Sequence, residues 1–440
     1  MSQQNRVTLK LHEGCKICMD TVELKIKGKL YGIPYIVSNP GAGKSALLKQ
    51  MAHERGYGFL SYELGLERPE KFGGIPDMKY KEVKKLPFQQ FFNVPKINEV
   101  LGTNFINTSK ILLNKNQQEL LKNYYENEPE VKSLLYTRWS IPQMVDEVWE
   151  ASKKFKIVVI LLDDWHTCDE YLQQLGYEAF TYHSISGYKL PENSVFILAG
   201  NETSACGAKV QLAAIRNRCM IMYVESCPEY WLKNFAYKHH IFGPGISFFE
   251  QKANWDIFHE SESTTTQFGS PRQWTSVFNY LEFLETKYPN KEIPQDICLS
   301  IIQAGVSQTA AHRFGLFYQI YRKMNINELY DQNIINIPDN DMDKFAYSSV
   351  ATEEFYNRFH DEDLRVNASK SYISFLNEIS IKRNKPELAL TSISSLLKRP
   401  KSDELKLQSG EDTIRYLYEN SMVPTSLMNI FRKSAACLNQ

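Results

Sequence analysis

The sequence predicts a three-layer αβα fold with a parallel β-sheet, followed by a mainly α-helical region. Two runs of β-branched and aliphatic residues, 157–162 (IVVILL) and 194–199 (SVFILA), lack the alternation of a half-exposed strand and therefore indicate strands buried on both faces. A third apolar run, 31–37 (YGIPYIV), precedes a glycine-rich loop and a segment with helical spacing. Buried strands separated by helical stretches favour an α/β core.

The pattern along the chain predicts three regions. Residues 1–228 are expected to form the α/β core, with a polar, Asn- and Lys-rich insertion at about 100–150. After residue 228 the apolar spacing becomes mainly helical, so 229–330 is predicted to be a helical domain and 331–440 a C-terminal helical extension, either a third domain or a continuation of the second. The break NIPDNDMDK lies at the start of that extension, and we find no internal repeat.

The composition is typical of a soluble globular protein, with 43% hydrophobic and 23% charged residues in 440. No apolar run reaches the ~18 residues of a membrane span, and the polar amino terminus lacks the apolar core of a secretory signal. Eight dispersed cysteines indicate free thiols in a reducing compartment. We therefore expect a cytoplasmic protein that is not in the membrane.

Two further features weigh against nucleic-acid binding and against zinc. Lys plus Arg equals Asp plus Glu at 51 each, so no net field attracts phosphates, although a local basic patch would not show in this sum. Cys15 and Cys18 form a CxxC, but no second CxxC or His pair follows at zinc-site spacing. We therefore do not expect nucleic-acid binding as the first choice of function. We also expect no structural metal site.

Residues 38–45 (SNPGAGKS) lie between the first predicted strand and a predicted helix. Amides at a helix N-terminus hold phosphate where glycines allow close approach, and Gly41 and Gly43 supply those positions. Lys44 can then reach the β- and γ-phosphates while the Ser45 hydroxyl coordinates Mg²⁺. Ser38 stands where the GxxxxGK[ST] motif has its first glycine. The predicted site for ATP and Mg²⁺ is Asn39, Pro40, Gly41, Ala42, Gly43, Lys44 and Ser45.

Carboxylate and amide side chains follow the other two predicted strands. In IVVILLDDWH, Asp163 is predicted to bind Mg²⁺ and Asp164 to polarise the attacking water. A pair of aspartates that caps a following helix is the alternative. In SVFILAGN, Asn201 is placed to hydrogen-bond the water or the γ-phosphate, and a simple turn residue is the alternative. Together with the glycine loop, these positions favour function.

In this order the motifs resemble the AAA+ ATPases, and within them the MoxR-like family, over about residues 30–320. SNPGAGKS is similar to Walker A, LLDD to Walker B, AGNETS to sensor 1, LAAIRNRC to the box before the arginine finger, and GSPRQW to sensor 2. Two more stretches resemble that family: KFGGIPDMKY, and a predicted hairpin, YHSISGYKLPENSVF. The resemblance implies a P-loop AAA+ core, with the domain at 229–330 acting as a helical lid.

The resemblance also implies roles for two arginines. Arg218 would enter the nucleotide site of the neighbouring subunit and stabilise charge on the transferred phosphoryl group, with Arg216 the less favoured candidate. Arg272 would be sensor 2, reaching from the lid to the γ-phosphate of its own subunit, and Pro271 before it is expected at the first position of a helix. The family implies a homo-oligomer, a hexameric ring, that acts on a protein substrate or adaptor.

Three departures from the family pattern change what is expected. Asp164 replaces the usual glutamate and is one methylene shorter, so we expect slow hydrolysis, because an error of about an ångström in positioning can lower a rate by about a hundredfold. Cys219 stands where the family has phenylalanine, which affects packing. Beyond about residue 330 the resemblance is weak.

The target of the ATPase is expected to be a polypeptide held by aromatic residues on loops that face the ring's pore. The candidates are residues 72–80 and the predicted hairpin tip 186–189, with Tyr188 first among them, although each tyrosine could equally belong to a core. Two alternatives stay open. One is a DNA-linked ATPase of the loader type, and the other is an ATP-dependent structural subunit with little turnover.

Overall fold

The structure is a computed structural model that describes residues 7–28, 32–65, 68–81, 92, 94–104, 113–127, 134–201, 213–261, 266–288, 293–401 and 407–437. The chain forms two compact units. The first comprises Met1–Leu66, Lys154–Asp169 and Glu192–Gln440, and the second comprises Glu67–Lys153 and Glu170–Pro191.

In the described residues the strands are β1 Leu9–Lys10, β2 Ile33–Ser38, β3 Gly58–Glu63, β4 Pro76–Lys81, β5 Leu134–Trp139, β6 Val158–Asp163, β7 Ser184–Ile185, β8 Tyr188–Lys189, β9 Ser194–Asn201 and β10 Cys219–Glu225. The helices of the α/β core and of the second unit are α1 Leu11–Ile26, α2 Lys44–Glu54, α3 Pro69–Gly73, α4 Val94–Leu101, α5 Lys115–Asn127, α6 Gln143–Ser152, α7 Glu170–Tyr182 and α8 Ala213–Arg216.

The helical region begins after β10. Its α-helices are α9 Pro228–Trp231, α10 Gly243–Glu250, α11 Pro271–Lys287, α12 Gln295–Gly305, α13 Gln308–Lys323, α14 Asn327–Gln332, α15 Asp341–Phe359, α16 Glu362–Asn377, α17 Pro386–Leu397, α18 Gly410–Glu419 and α19 Thr425–Cys437. Among the described residues, no helix has the length and apolar character needed to cross a membrane.

The first unit contains a parallel sheet in the order β1-β10-β2-β9-β6-β3. All three predicted strands belong to it, with bounds shifted by one or two residues. Ser38 on β2 is in register with Asn201 on β9, and Asp163 ends β6 beside them. Because the strands are parallel, their carboxyl ends meet at one edge, which is where α/β sheets bind ligands. The predicted α/β core with a parallel sheet is confirmed.

Both faces of the central strands are buried, as their continuous apolar runs predict. On one face, Val159, Leu161, Ile197 and their neighbours pack against α1 and α2. The alternate residues, such as Val158 and Ile160, are buried as well. The CxxC lies inside this core: Cys15 and Cys18 are fully buried on α1. Among the described residues no group of three or more His, Cys, Asp or Glu side chains is placed to hold a metal ion.

The predicted helical region after residue 228 is also confirmed. Its first apolar core gathers aromatic side chains from α9 to α13 around the fully buried Trp274. Phe249 and Phe314 meet that indole edge-on at 5.0 and 5.8 Å between ring centroids, an orientation that aromatic pairs prefer. A second core joins α14 to α19. The helices at the carboxyl end therefore have a buried apolar core of their own.

The predicted insertion at about 100–150 falls within the second unit. Strands β4 and β5 pair antiparallel, from Pro76 with Trp139 to Lys81 with Leu134. Strands β7 and β8 form the predicted hairpin. Its two turn residues, Ser186 (φ 51°) and Gly187 (φ 81°), are both left-handed, as a tight two-residue hairpin requires.

Candidate nucleotide-binding site

The glycine loop connects the carboxyl end of β2 directly to α2. Gly41 (φ 78°) and Gly43 (φ 96°) have left-handed backbones that glycine adopts without strain. Helix α2 begins at Lys44 with Gly43 as its N-cap. Because the first amides of a helix have no carbonyl partner within the helix, this turn is suited to bind an anion.

The two glycines differ in their surroundings, and this difference gives a prediction. A Cβ on Gly41 would lie 2.7 Å from Ser270 Oγ, whereas a Cβ on Gly43 would have nothing within 4 Å. We expect Gly43→Ala to lower the free energy of unfolding by about 1–2 kcal/mol through backbone strain alone. Gly41→Ala should cost about 1–3 kcal/mol more because of the clash with Ser270. Urea denaturation of both variants measures the difference, and equal losses would contradict the Ser270 contact.

Lys44 is the buried cation at the centre of the site. Its Nζ donates hydrogen bonds to Ser38 Oγ at 3.0 Å and to Asn201 Oδ1 at 2.9 Å. Ser38, the departure from the motif, therefore contacts the motif's own lysine. Burial lowers the pKa of Lys44 from 10.5 to about 8; Asp163 and Asp164 act in the opposite direction, and Arg272 lowers the pKa further. Two carboxylates and two cations thus interact at this edge of the sheet.

Ser45 and Asp163 supply oxygen atoms beside that lysine. Ser45 Oγ donates a hydrogen bond to Asp163 Oδ2, although the two residues are 118 positions apart. The other carboxylate oxygen, Asp163 Oδ1, accepts from the backbone amide of Asp164 at 2.9 Å. Hydroxyl and carboxylate oxygens are the ligand types that Mg²⁺ takes in proteins, often together with substrate phosphates. These two side chains therefore fit a magnesium site.

Asp164 has a left-handed backbone (φ 53°, ψ 33°) and begins a short 3₁₀ turn, Trp165–Thr167. Its carbonyl accepts hydrogen bonds from the Thr167 amide and hydroxyl, both at 2.8 Å. Its side chain makes no capping bond in this turn, so the capping alternative is not supported for Asp164. Aspartate tolerates the left-handed region better than most residues, which gives a local reason for the shorter acid here.

His166 was not predicted from the sequence, yet it contacts the site. Its Nδ1 accepts a hydrogen bond from the backbone amide of Asn201 at 3.2 Å, and the residue is buried. The position two residues after Asp164 is the signal that could have suggested it. His166 therefore links the end of β6 to Asn201, which in turn contacts Lys44.

Arg272 lies at the start of α11, next to the glycine loop. Its backbone amide is 3.4 Å from the Gly41 carbonyl. Helix α11 begins at Pro271, as predicted, and Ser270 caps it by accepting from the Gln273 amide at 3.3 Å. The charge of Arg272 also lowers the pKa of Lys44, after the larger effects of burial and of the two carboxylates. The predicted sensor 2 residue thus lies on the same side as the glycine loop.

Arg218 lies at the other edge of the sheet. It precedes β10, and its carbonyl accepts from the Ile33 amide at 2.8 Å, at the amino end of β2. Ser38, at the carboxyl end, is five residues further along, or about 16 Å at the rise of a strand. Arg218 donates to the Ala214 carbonyl at 2.8 Å, and Arg216 is exposed. The structure does not bring Arg218 to the Lys44 site of its own chain.

The residues predicted to grip a polypeptide lie in the second unit and differ in their exposure to solvent. Phe72 is buried, so the prediction of an exposed aromatic is wrong at that position. The side chains of residues 77–80 lie outside the described part. Tyr188 is partly exposed and donates to the Trp139 carbonyl at 2.7 Å. Around it lie the exposed apolar side chains of Ile75, Trp139 and Ile141.

When the sequence is compared with models of known protein families and with curated protein sequences, neither comparison finds a match. The function proposed below therefore depends on the residues and geometry of this site.

Proposed function

We propose that this chain binds Mg²⁺–ATP at the glycine loop and hydrolyses it slowly, as a subunit of a homo-oligomeric AAA+ ring resembling the MoxR-like ATPases. One observation carries the proposal. Lys44 and Ser45 of the loop contact Asn201 and Asp163, which are 157 and 118 residues away, at the carboxyl edge of a parallel sheet. A chance glycine turn would have no reason to meet an amide and a carboxylate there.

Each residue of the site has a proposed task. The loop amides and Lys44 bind the phosphates, and Ser45 and Asp163 hold Mg²⁺. The metal, when bound, supplies positive charge beside the phosphate oxygens. Asn201 hydrogen-bonds the attacking water or the γ-phosphate, and Arg272 reaches the γ-phosphate of its own subunit. Asp164 orients the water.

Asp164→Asn tests hydrolysis separately from binding. The amide retains the shape of the side chain but cannot accept a proton, so we expect phosphate release to fall about a hundredfold or more. ATP affinity should change less than threefold. Glu63→Gln is the control, because Glu63 is exposed at the same edge, in register with Asp163. Undetectable release from the wild type, with tight ATP binding, would instead favour the structural-subunit alternative.

The ring is proposed because Arg218 has no access to the site of its own chain. By resemblance to the family, Arg218 stabilises charge on the transferred phosphoryl group; from the amino ends of the strands it would do so in the site of a neighbouring chain, while Arg272 acts in its own. We favour six subunits by resemblance to the family. The shared site also implies that specific activity rises with protein concentration.

A protein substrate or adaptor is the proposed partner, supported by the exposed apolar side chains around Tyr188. The loader alternative predicts DNA binding that stimulates hydrolysis and weakens steeply as salt rises. ATPase assays with single- and double-stranded DNA at 50 and 200 mM salt distinguish the two. Stimulation that disappears at the higher salt would favour the loader.

A further inference from the structure

His259 connects three parts of the first unit. It lies between Ile257, the end of a short 3₁₀ helix, and α11. Its Nε2 is 3.0 Å from the carbonyl oxygen of Pro40 in the glycine loop, and its Nδ1 is 2.7 Å from Ser226 Oγ, just after β10. The imidazole thus contacts the glycine loop and the residue after β10, and it belongs to the segment that leads into α11, a helix of the predicted lid (229–330).

The partners determine which nitrogen carries the proton. A carbonyl oxygen can only accept, so His259 Nε2 carries the hydrogen and donates to Pro40. In the neutral ring Nδ1 then accepts from the Ser226 hydroxyl. Burial lowers the pKa of His259; the hydrogen bond to the Pro40 carbonyl raises it and the charge of Lys44 lowers it, and the net shift is downward, which favours the neutral ring. Both ring nitrogens are therefore satisfied in one tautomer.

Two backbone carbonyls of the glycine loop contact the segment 259–272 among the described residues. The Pro40 carbonyl accepts from His259, and the next carbonyl, of Gly41, faces the amide of Arg272 on α11. Ser270 lies so close to Gly41 that no side chain fits between them. Trp274 Nε1 of α11 donates to the Ile257 carbonyl at 3.0 Å, two residues before His259, so a shift of α11 would act on both the Pro40 and the Gly41 peptide groups.

We propose that His259 is a positioning residue that holds the Pro40 peptide against the lid segment, so that the conformation of the glycine loop, and with it nucleotide affinity, depends on the position of α11. The proposal rests on the proposed nucleotide site. His259 would couple the movement of the predicted lid to nucleotide binding through the backbone of the glycine loop. No side chain that touches the nucleotide is needed for this coupling.

Two substitutions of His259 separate its hydrogen bonds. The amide nitrogen of His259→Gln reaches the position of Nε2 and can still donate to Pro40. His259→Asn is shorter, reaches only the position of Nδ1, and loses that donor. His53→Asn, on the exposed end of α2, is the control. All variants are made in the full chain.

The first measurement is hydrogen exchange of the nucleotide-free protein, followed in peptides that cover 39–47 and 271–278. We expect exchange in these peptides to be about tenfold faster in His259→Asn than in the wild type, because one buried hydrogen bond is lost. His259→Gln and the control should exchange at the wild-type rate. The proposal is overturned if His259→Asn exchanges normally, or if His259→Gln is equally fast, since ring volume would then be the cause.

The second measurement is the affinity for a fluorescent ATP analogue with Mg²⁺. His259→Asn should bind about tenfold more weakly and His259→Gln within threefold of the wild type. Faster exchange with unchanged affinity would overturn the coupling. If the wild type itself does not bind the analogue, the proposed function fails, while the exchange comparison still decides whether His259 holds the loop to the lid.

Discussion

Lys44→Met is expected to reduce ATP affinity at least about a hundredfold, because hydrogen bonds from a charged donor to phosphate contribute roughly 1.5–3 kcal/mol each. The same substitution should not unfold the protein. Lys44 is buried and its ammonium is costly to desolvate, so replacing it with an apolar chain of similar length removes that cost. Titration with a fluorescent ATP analogue measures the affinity, and thermal unfolding checks the fold.

Lys49→Met is the matched control, since Lys49 is exposed on the same helix. It should bind ATP like the wild type. If Lys44→Met is folded and still binds ATP tightly, the glycine loop is not a phosphate site. Loss of binding in both variants would indicate a general effect of charge on α2 instead.

Because the pKa of Lys44 is lowered, the affinity for ATP should depend on pH. The charged form binds phosphate, so affinity should be level below pH 7 and fall above the folded pKa of about 8, by at most about tenfold per pH unit. The free energy of unfolding should change with pH in the opposite direction to ATP affinity. Between pH 8 and 10.5 the unfolded chain holds more protons than the folded one, so this lysine makes the free energy of unfolding of the nucleotide-free protein rise with pH. Lys44→Met should lose that rise.

Arg218→Ala is expected to bind ATP normally and to hydrolyse it about a thousandfold more slowly, the lower end of the range for an arginine supplied by a neighbour. The decisive experiment mixes this variant with Lys44→Met. Neither variant alone is expected to release phosphate at an appreciable rate. In a mixed ring, a chain with an intact Lys44 site can receive Arg218 from its Lys44→Met neighbour, so phosphate release should reappear.

Two results would contradict the proposed role of Arg218. If mixed chains assemble, shown by light scattering, and stay inactive, Arg218 does not act between subunits. If Arg218→Ala alone hydrolyses ATP normally, it is not the finger. Arg216→Ala is the comparison, and it should retain most activity because the family resemblance favours Arg218.

The linear motifs were enough to predict the elements of the site, for local reasons. A glycine loop between a strand and a helix has a characteristic sequence, and an uninterrupted apolar run identifies a strand buried on both faces. The three predicted strands and the start of α11 at Pro271 were accordingly found. Residue types at strand ends identified Asp163 and Asn201 as candidates. Strand pairing was not predictable in this way, because β2 pairs with β9 and β10, which lie more than 150 residues further along the chain.

The contacts that make these elements a site come only from the sheet and the packing of α11. Parallel register places Asn201 beside Ser38 and so beside Lys44, and it separates Arg218 from them by the length of β2. Phe72 is buried, which its neighbouring residues did not reveal. His166 and His259 were missed because each acts through a backbone group of a distant segment. By itself the sequence predicted the class of site, since that prediction depends on local backbone and residue type, whereas the tertiary structure decided which side chains meet there.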